Sequence, residues 1–129
     1  MALAAVLFAI VTVFVGVIVL GDVVAPPGSG LKRLAATHVG VATTGVILLL
    51  IALVNANRGT EWVSFGALIL AGTIGVLTLT LNRPPQTEES PSRKEQGHLP
   101  LPVVVIHGAA AVLTLVLVLV TASSAGVMR

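Results

Sequence analysis

Hydrophobic and polar positions divide this chain into four long apolar runs separated by three polar breaks. Ala2 to Leu20 is almost unbroken apolar sequence, and it ends at Gly21-Asp22. Pro26-Pro27-Gly28-Ser29-Gly30 cannot continue a helix and predicts the first loop. Leu31 to Val54 forms the second run, which at about 1.5 Å per residue reaches about 36 Å, enough to cross a bilayer with some tilt. Asn55-Ala56-Asn57-Arg58-Gly59-Thr60 reads as a short polar turn. Thr60 or Glu61 then suits the start of a third helix, with the acidic group near the positive end of the helix dipole. Asn82 to Leu99 is the one substantial polar segment, and its prolines and mixed charges predict a mobile loop. A final helix begins near Pro102, in a position where proline suits a first turn. The pattern predicts an all-α integral membrane four-helix bundle of up-down topology. It is a single transmembrane domain over 1–129, with helices at about 2–21, 31–54, 61–82 and 101–123 and a loop at 83–100.

Composition narrows the class further. The chain is 56% hydrophobic and 9% charged, with a mean hydropathy of +1.07. A soluble domain carries roughly a quarter charged residues, so an ordinary water-soluble fold is excluded. A signal peptide is the competing reading of the first run. Signal peptides carry a basic start, however, and no Lys or Arg precedes Lys32, so the segment is read as a retained helix. Trp62, the single tryptophan, sits at a helix edge as an interfacial aromatic should. Ala67 and Ala71 form a small-xxx-small pair that lets helices approach closely. The seven Lys and Arg residues fall near helix ends and read as membrane anchors, with no nucleic-acid footprint. Lys32, Arg33, Arg83, Arg93 and Lys94 share one side, against Arg58 and Arg129 on the other. The positive-inside rule therefore predicts that loops 22–30 and 83–100 are cytoplasmic and both termini outside. The Ala, Val and Leu usage suggests a bacterial inner membrane. There is no cysteine, which removes disulfides, thiolate metal sites, iron–sulfur clusters and c-type haem attachment.

Candidate chemistry rests on two histidines. His38 lies in the second run and His107 in the fourth, and an ionisable residue inside a membrane-length segment is a functional-site hypothesis by default. Each sits about 8 Å inside the start of its helix at about 1.5 Å per residue. Both helices start from the same side, so both imidazoles can occupy one layer. Small residues flank them: Ala35, Ala42 and Gly45 near His38, and Ala110 and Ala111 near His107. Such surroundings leave room for a flat macrocycle between helices, with a backbone carbonyl or the Thr37 hydroxyl fixing the second imidazole nitrogen. The halves also look weakly repetitive, each pairing a helix without histidine with a helix carrying one early on, which describes a parallel repeat.

With Thr37-His38 and Ile106-His107 in place, the layout resembles the four-helix b-type cytochrome membrane subunits, such as the anchors of succinate dehydrogenase and fumarate reductase. The resemblance covers architecture and these two positions. It implies axial ligation of one haem b by His38 and His107, with both as ligands to the iron. Lys32, Arg33 and Arg93 are candidate propionate partners on the same side. It also implies electron transfer within a larger membrane complex or to a soluble redox subunit. A second pair of buried histidines, as in two-haem transmembrane cytochromes, is absent, so one haem near one face cannot alone carry electrons across the bilayer.

Other readings stand beside this one. Both histidines can be packing or hydrogen-bonding residues, which makes the chain a cofactor-free accessory subunit of a membrane complex. One histidine can instead serve a quinone pocket as a hydrogen-bond donor. His98 falls in the polar loop and reads as solvated. No charged residue lies deep in a predicted helix and no helix is broken by an internal proline, which argues against an ion-coupled transporter. No nucleophile–base pair, P-loop or dinucleotide fingerprint appears, so catalysis by this chain alone is not predicted.

Overall fold

A computed structural model describes residues 2–22, 30–81 and 101–124. Apart from a turn at Ala56 and Asn57, these residues form four α-helices: α1 (Ala2–Asp22), α2 (Gly30–Asn55), α3 (Arg58–Leu81) and α4 (Leu101–Ser124). The all-α bundle expected from the hydrophobic pattern is present. Arg83, Arg93, Lys94 and His98 lie outside the described residues.

The α2–α3 turn shows how local sequence sets a boundary. Asn57 donates its backbone N–H to the Ala52 carbonyl at 3.0 Å, and Ala56 donates to Leu53 at 3.5 Å. These are the two bonds of a Schellman ending, which needs a left-handed residue between helix and loop. Ala56 takes that conformation with φ 48°. Asn57 then caps the next helix, its Oδ1 accepting from the Thr60 N–H at 3.2 Å and its carbonyl accepting from the Glu61 N–H at 3.2 Å. The third helix therefore starts at Arg58, ahead of the predicted start at 61, because Asn57 is the better cap.

Among the described residues, Lys32–Asn55, Arg58–Leu81 and Pro102–Ser124 are long and apolar enough to cross a membrane, and α1 adds a shorter apolar stretch, Leu3–Ile18. The outer faces are apolar too: Leu3, Phe14, Ile47, Val76, Ile106 and Val112 are all exposed. A bundle greasy on the outside as well as the inside belongs in lipid.

Around the bundle the helices follow chain order. α2 packs most extensively on α3, and α1 on α4, while the α1–α2 and α3–α4 interfaces are thinner. The diagonal pairs, α1–α3 and α2–α4, do not touch along their backbones. The bundle is thus two tight helix pairs, α2/α3 and α1/α4, meeting along a seam. Gly45 brings α2 against α3: the Leu68 side chain lies where a Gly45 Cβ would meet it at 2.9 Å, and Ser64 Oγ donates to the Gly45 carbonyl at 2.8 Å. Of the predicted small-residue pair on α3, Ala71 is buried and Ala67 is only partly so. In the α1/α4 pair, the Thr12 and Thr114 hydroxyls approach to 3.5 Å. The main apolar cluster joins Ala5, Val6, Ala9, Val46, Leu49, Leu68 and Val118, all buried. It occupies the half nearer the α2–α3 turn and leaves the other half to the histidines.

Candidate functional site

His38 and His107 come together across the bundle. They sit on the diagonal helices α2 and α4, and their ring centroids are 6.2 Å apart with planes inclined at 74°. Helix periodicity explains the meeting. His38, Ala42, Gly45, Leu49 and Ala52 follow one stripe of α2, and His107, Ala111, Thr114, Val118 and Ala122 the matching stripe of α4. Each stripe faces the interior, and each begins with its histidine at the same end.

Each imidazole is seated by its own helix pair. His38 Nδ1 lies 2.7 Å from the Ala71 carbonyl oxygen. A carbonyl only accepts, so Nδ1 carries the proton and donates, and in the neutral ring Nε2 is left with its lone pair. The ring also leans on Gly75, where an added Cβ would come within 2.9 Å of His38 Cε1. In the other pair, His107 leans on Gly16, where a Cβ would come within 3.1 Å of its Cε1. His107 Nδ1 is buried with no hydrogen-bond partner among the described residues. The two contacts exchange the halves of the chain, since the histidine of each half rests on the glycine of the other. That is the relation expected of the parallel repeat. Neither Gly16 nor Gly75 stood out in sequence among thirteen glycines. The usable signal was their spacing at the end of an inward stripe: Ala5, Ala9, Thr12, Gly16 on α1, and Leu68, Ala71, Gly75 on α3.

The other candidates fall into place around this pair. Thr37 does not fix an imidazole; its hydroxyl donates to the Arg33 carbonyl at 2.9 Å. A backbone carbonyl takes that role instead. Lys32 and Arg33 are exposed at the histidine end of α2. A partly open cavity of about 60 Å³ lies on the seam between the rings and the apolar cluster. Gly16, Val39, Ala42, Leu68, Thr12 and Thr114 help to line it.

Two imidazoles on opposite sides of one metal have ring centres roughly 6 Å apart, from metal–nitrogen bonds of about 2 Å and half a ring on each side. The observed 6.2 Å is the spacing of the closed bundle, with the two rings edge to face. The His38 tautomer suits ligation, because a ligating imidazole usually donates its other nitrogen to a carbonyl. The orphaned His107 nitrogen is a group that a metal bond, or reorientation around one, would satisfy. Two imidazoles are the donor chemistry that a haem iron takes. The cavity volume has room for only a few waters, so a macrocycle requires the α2/α3 and α1/α4 pairs to part along the seam. Among the described residues no group of three or more His, Cys, Asp or Glu is placed to hold a metal ion. No protein-family model, curated protein or solved structure matches this chain.

Proposed function

We propose that this chain is a membrane subunit that holds one b-type haem between His38 and His107 and passes electrons within a larger complex. The observation that carries the reading is the 6.2 Å approach of two imidazoles from diagonal helices, one of them already fixed through Nδ1. When bound, such a group supplies one-electron transfer. The residues of this chain do the rest. The Ala71 carbonyl orients His38 and raises the basicity of its Nε2. With His38 and His107 both held to the iron, no position would be left for oxygen, which favours electron transfer. Gly16 and Gly75 let the imidazoles lie close to the partner helices. Lys32 and Arg33, exposed at the histidine end of α2, and Arg93 from the loop that precedes α4 in sequence would pair with propionates. With a single site near one face, the chain needs a redox partner, either a neighbouring membrane subunit or a soluble domain on that face. On this reading that face lies in the cytoplasm of a bacterial inner-membrane protein with the termini outside, which the larger number of Lys and Arg on that side of the sequence supports.

A reduced-minus-oxidised visible spectrum of protein purified from its native membrane tests this reading, beside His38→Ala and His107→Ala. The expected result is a sharp b-type α band that disappears in both variants. The absence of the band in the unaltered protein would overturn it. One observation favours a second reading, a cofactor-free accessory subunit: the seam cavity is smaller than a macrocycle. On that reading the two histidines only pack, and both variants assemble normally with the same membrane complex.

A further inference from the structure

The two halves of the chain differ where they border the seam. The repeat that matches Gly16 with Gly75 also matches Val13 of α1 with Gly72 of α3, since each lies three residues before its glycine. The repeat that matches His38 with His107 also matches Val39 of α2 with Gly108 of α4, since each directly follows its histidine. The first half therefore carries two valines at positions where the second half carries two glycines.

These four positions lie along the two edges of the seam. Thr12 meets Thr114 inside the α1/α4 pair, and Val13, about 100° further round the helix, turns toward α2. His38 reaches the Ala71 carbonyl inside the α2/α3 pair, and Val39, about 100° further round, turns toward α1. Both valines are partly buried and line the cavity. By the same periodicity Gly72, next to Ala71, turns toward α4, and Gly108, next to His107, turns toward α3. Branched side chains thus flank the cavity on the α1–α2 edge, and the matching positions on the α3–α4 edge have no side chain. A Cβ added at Gly72 or Gly108 would meet nothing within 4 Å. Gly72 lines the cavity, Gly108 is exposed, and the α3–α4 interface is the thinnest of the four. Parting this edge gives up few packing contacts. Both glycines lie within membrane-spanning lengths, so the edge faces lipid.

We propose that the cavity opens to the bilayer between Gly72 and Gly108, and that haem reaches His38 and His107 through this α3–α4 edge while the α1–α2 edge stays closed. The inference rests on the haem reading and adds the route. The test is the rate at which the haem-free full chain in liposomes takes up added haem, followed by the growth of its absorption band. Gly72→Val with Gly108→Val gives the α3–α4 edge the side chains of the α1–α2 edge. Uptake should slow by about tenfold or more, as an added barrier at the entrance would cause. Val13→Ala with Val39→Ala should leave the rate unchanged. Thermal unfolding checks that the variants fold, and if the double valine variant does not, Gly108→Val alone decides the matter, because that position is exposed. Equal rates with and without the added valines, or faster uptake in the alanine variant, would overturn the route and leave the haem reading standing. No uptake by the unaltered protein would overturn both.

Discussion

Gly75 and Gly16 do the same job with different margins. A Cβ at Gly75 would meet an imidazole that the Ala71 carbonyl holds, whereas the imidazole facing Gly16 has no such tether. Gly75→Ala should therefore cost about 1–3 kcal/mol, the usual range for forcing a methyl into a packed site, and Gly16→Ala should cost less. Thermal unfolding of both variants in detergent checks the order, and equal costs would argue against the tether. Ser64→Ala removes one interhelical hydrogen bond to a carbonyl that keeps its own helical partner. The expected loss is about 0.6 kcal/mol, the mean for such bonds within membranes. The histidines were legible in the sequence because ionisable residues are conspicuous in apolar runs. The burial of Glu61 was not, since it sits at a predicted helix edge where acids are ordinary.

At the scale of elements, the α2–α3 connection and the Gly45 crossing make separate predictions. Ala56 holds a left-handed conformation that costs an L-residue about 1–2 kcal/mol, so Ala56→Gly should stabilise the protein by about 0.5–1 kcal/mol once glycine's greater chain entropy is subtracted. Denaturant titration of the two proteins side by side measures it, and a loss of stability would contradict the assigned turn. The four helices themselves were readable from apolar length alone. Which faces they bury was less so, because lipid-facing and interior positions are both apolar and periodicity carries little contrast. Small and polar residues at spacings of four or seven, such as Thr12 with Gly16 and Gly45 with Ala52, mark the inner faces more clearly than hydrophobicity does. Ala67 with Ala71 was a misleading marker in part, as α2 and α3 approach through Gly45 instead.

At the scale of the whole molecule, function turns on the seam between two tight helix pairs. If α1 and α4 move as one body, linking them should not hinder a ligand that enters between pairs. Their Thr12 and Thr114 hydroxyls are 3.5 Å apart, so a Thr12→Cys, Thr114→Cys protein can be oxidised to tie the pair together. On the proposed haem reading the crosslinked protein should keep the haem content of the uncrosslinked one, and loss of haem on oxidation would show that α1 and α4 must separate. The hand of the ring could not be read from sequence, because four apolar helices in chain order close either way. In either ring, though, up-down connectivity puts α2 opposite α4, which is why two matched depths in sequence become one site in space.

The most direct measurement is electron paramagnetic resonance of the oxidised protein purified from its native membrane. Ligation by both His38 and His107 would make a bound ferric haem low-spin. That low-spin signal, lost in His38→Ala and in His107→Ala, is the predicted result. A high-spin signal in the unaltered protein, or no haem signal at all, would contradict the account.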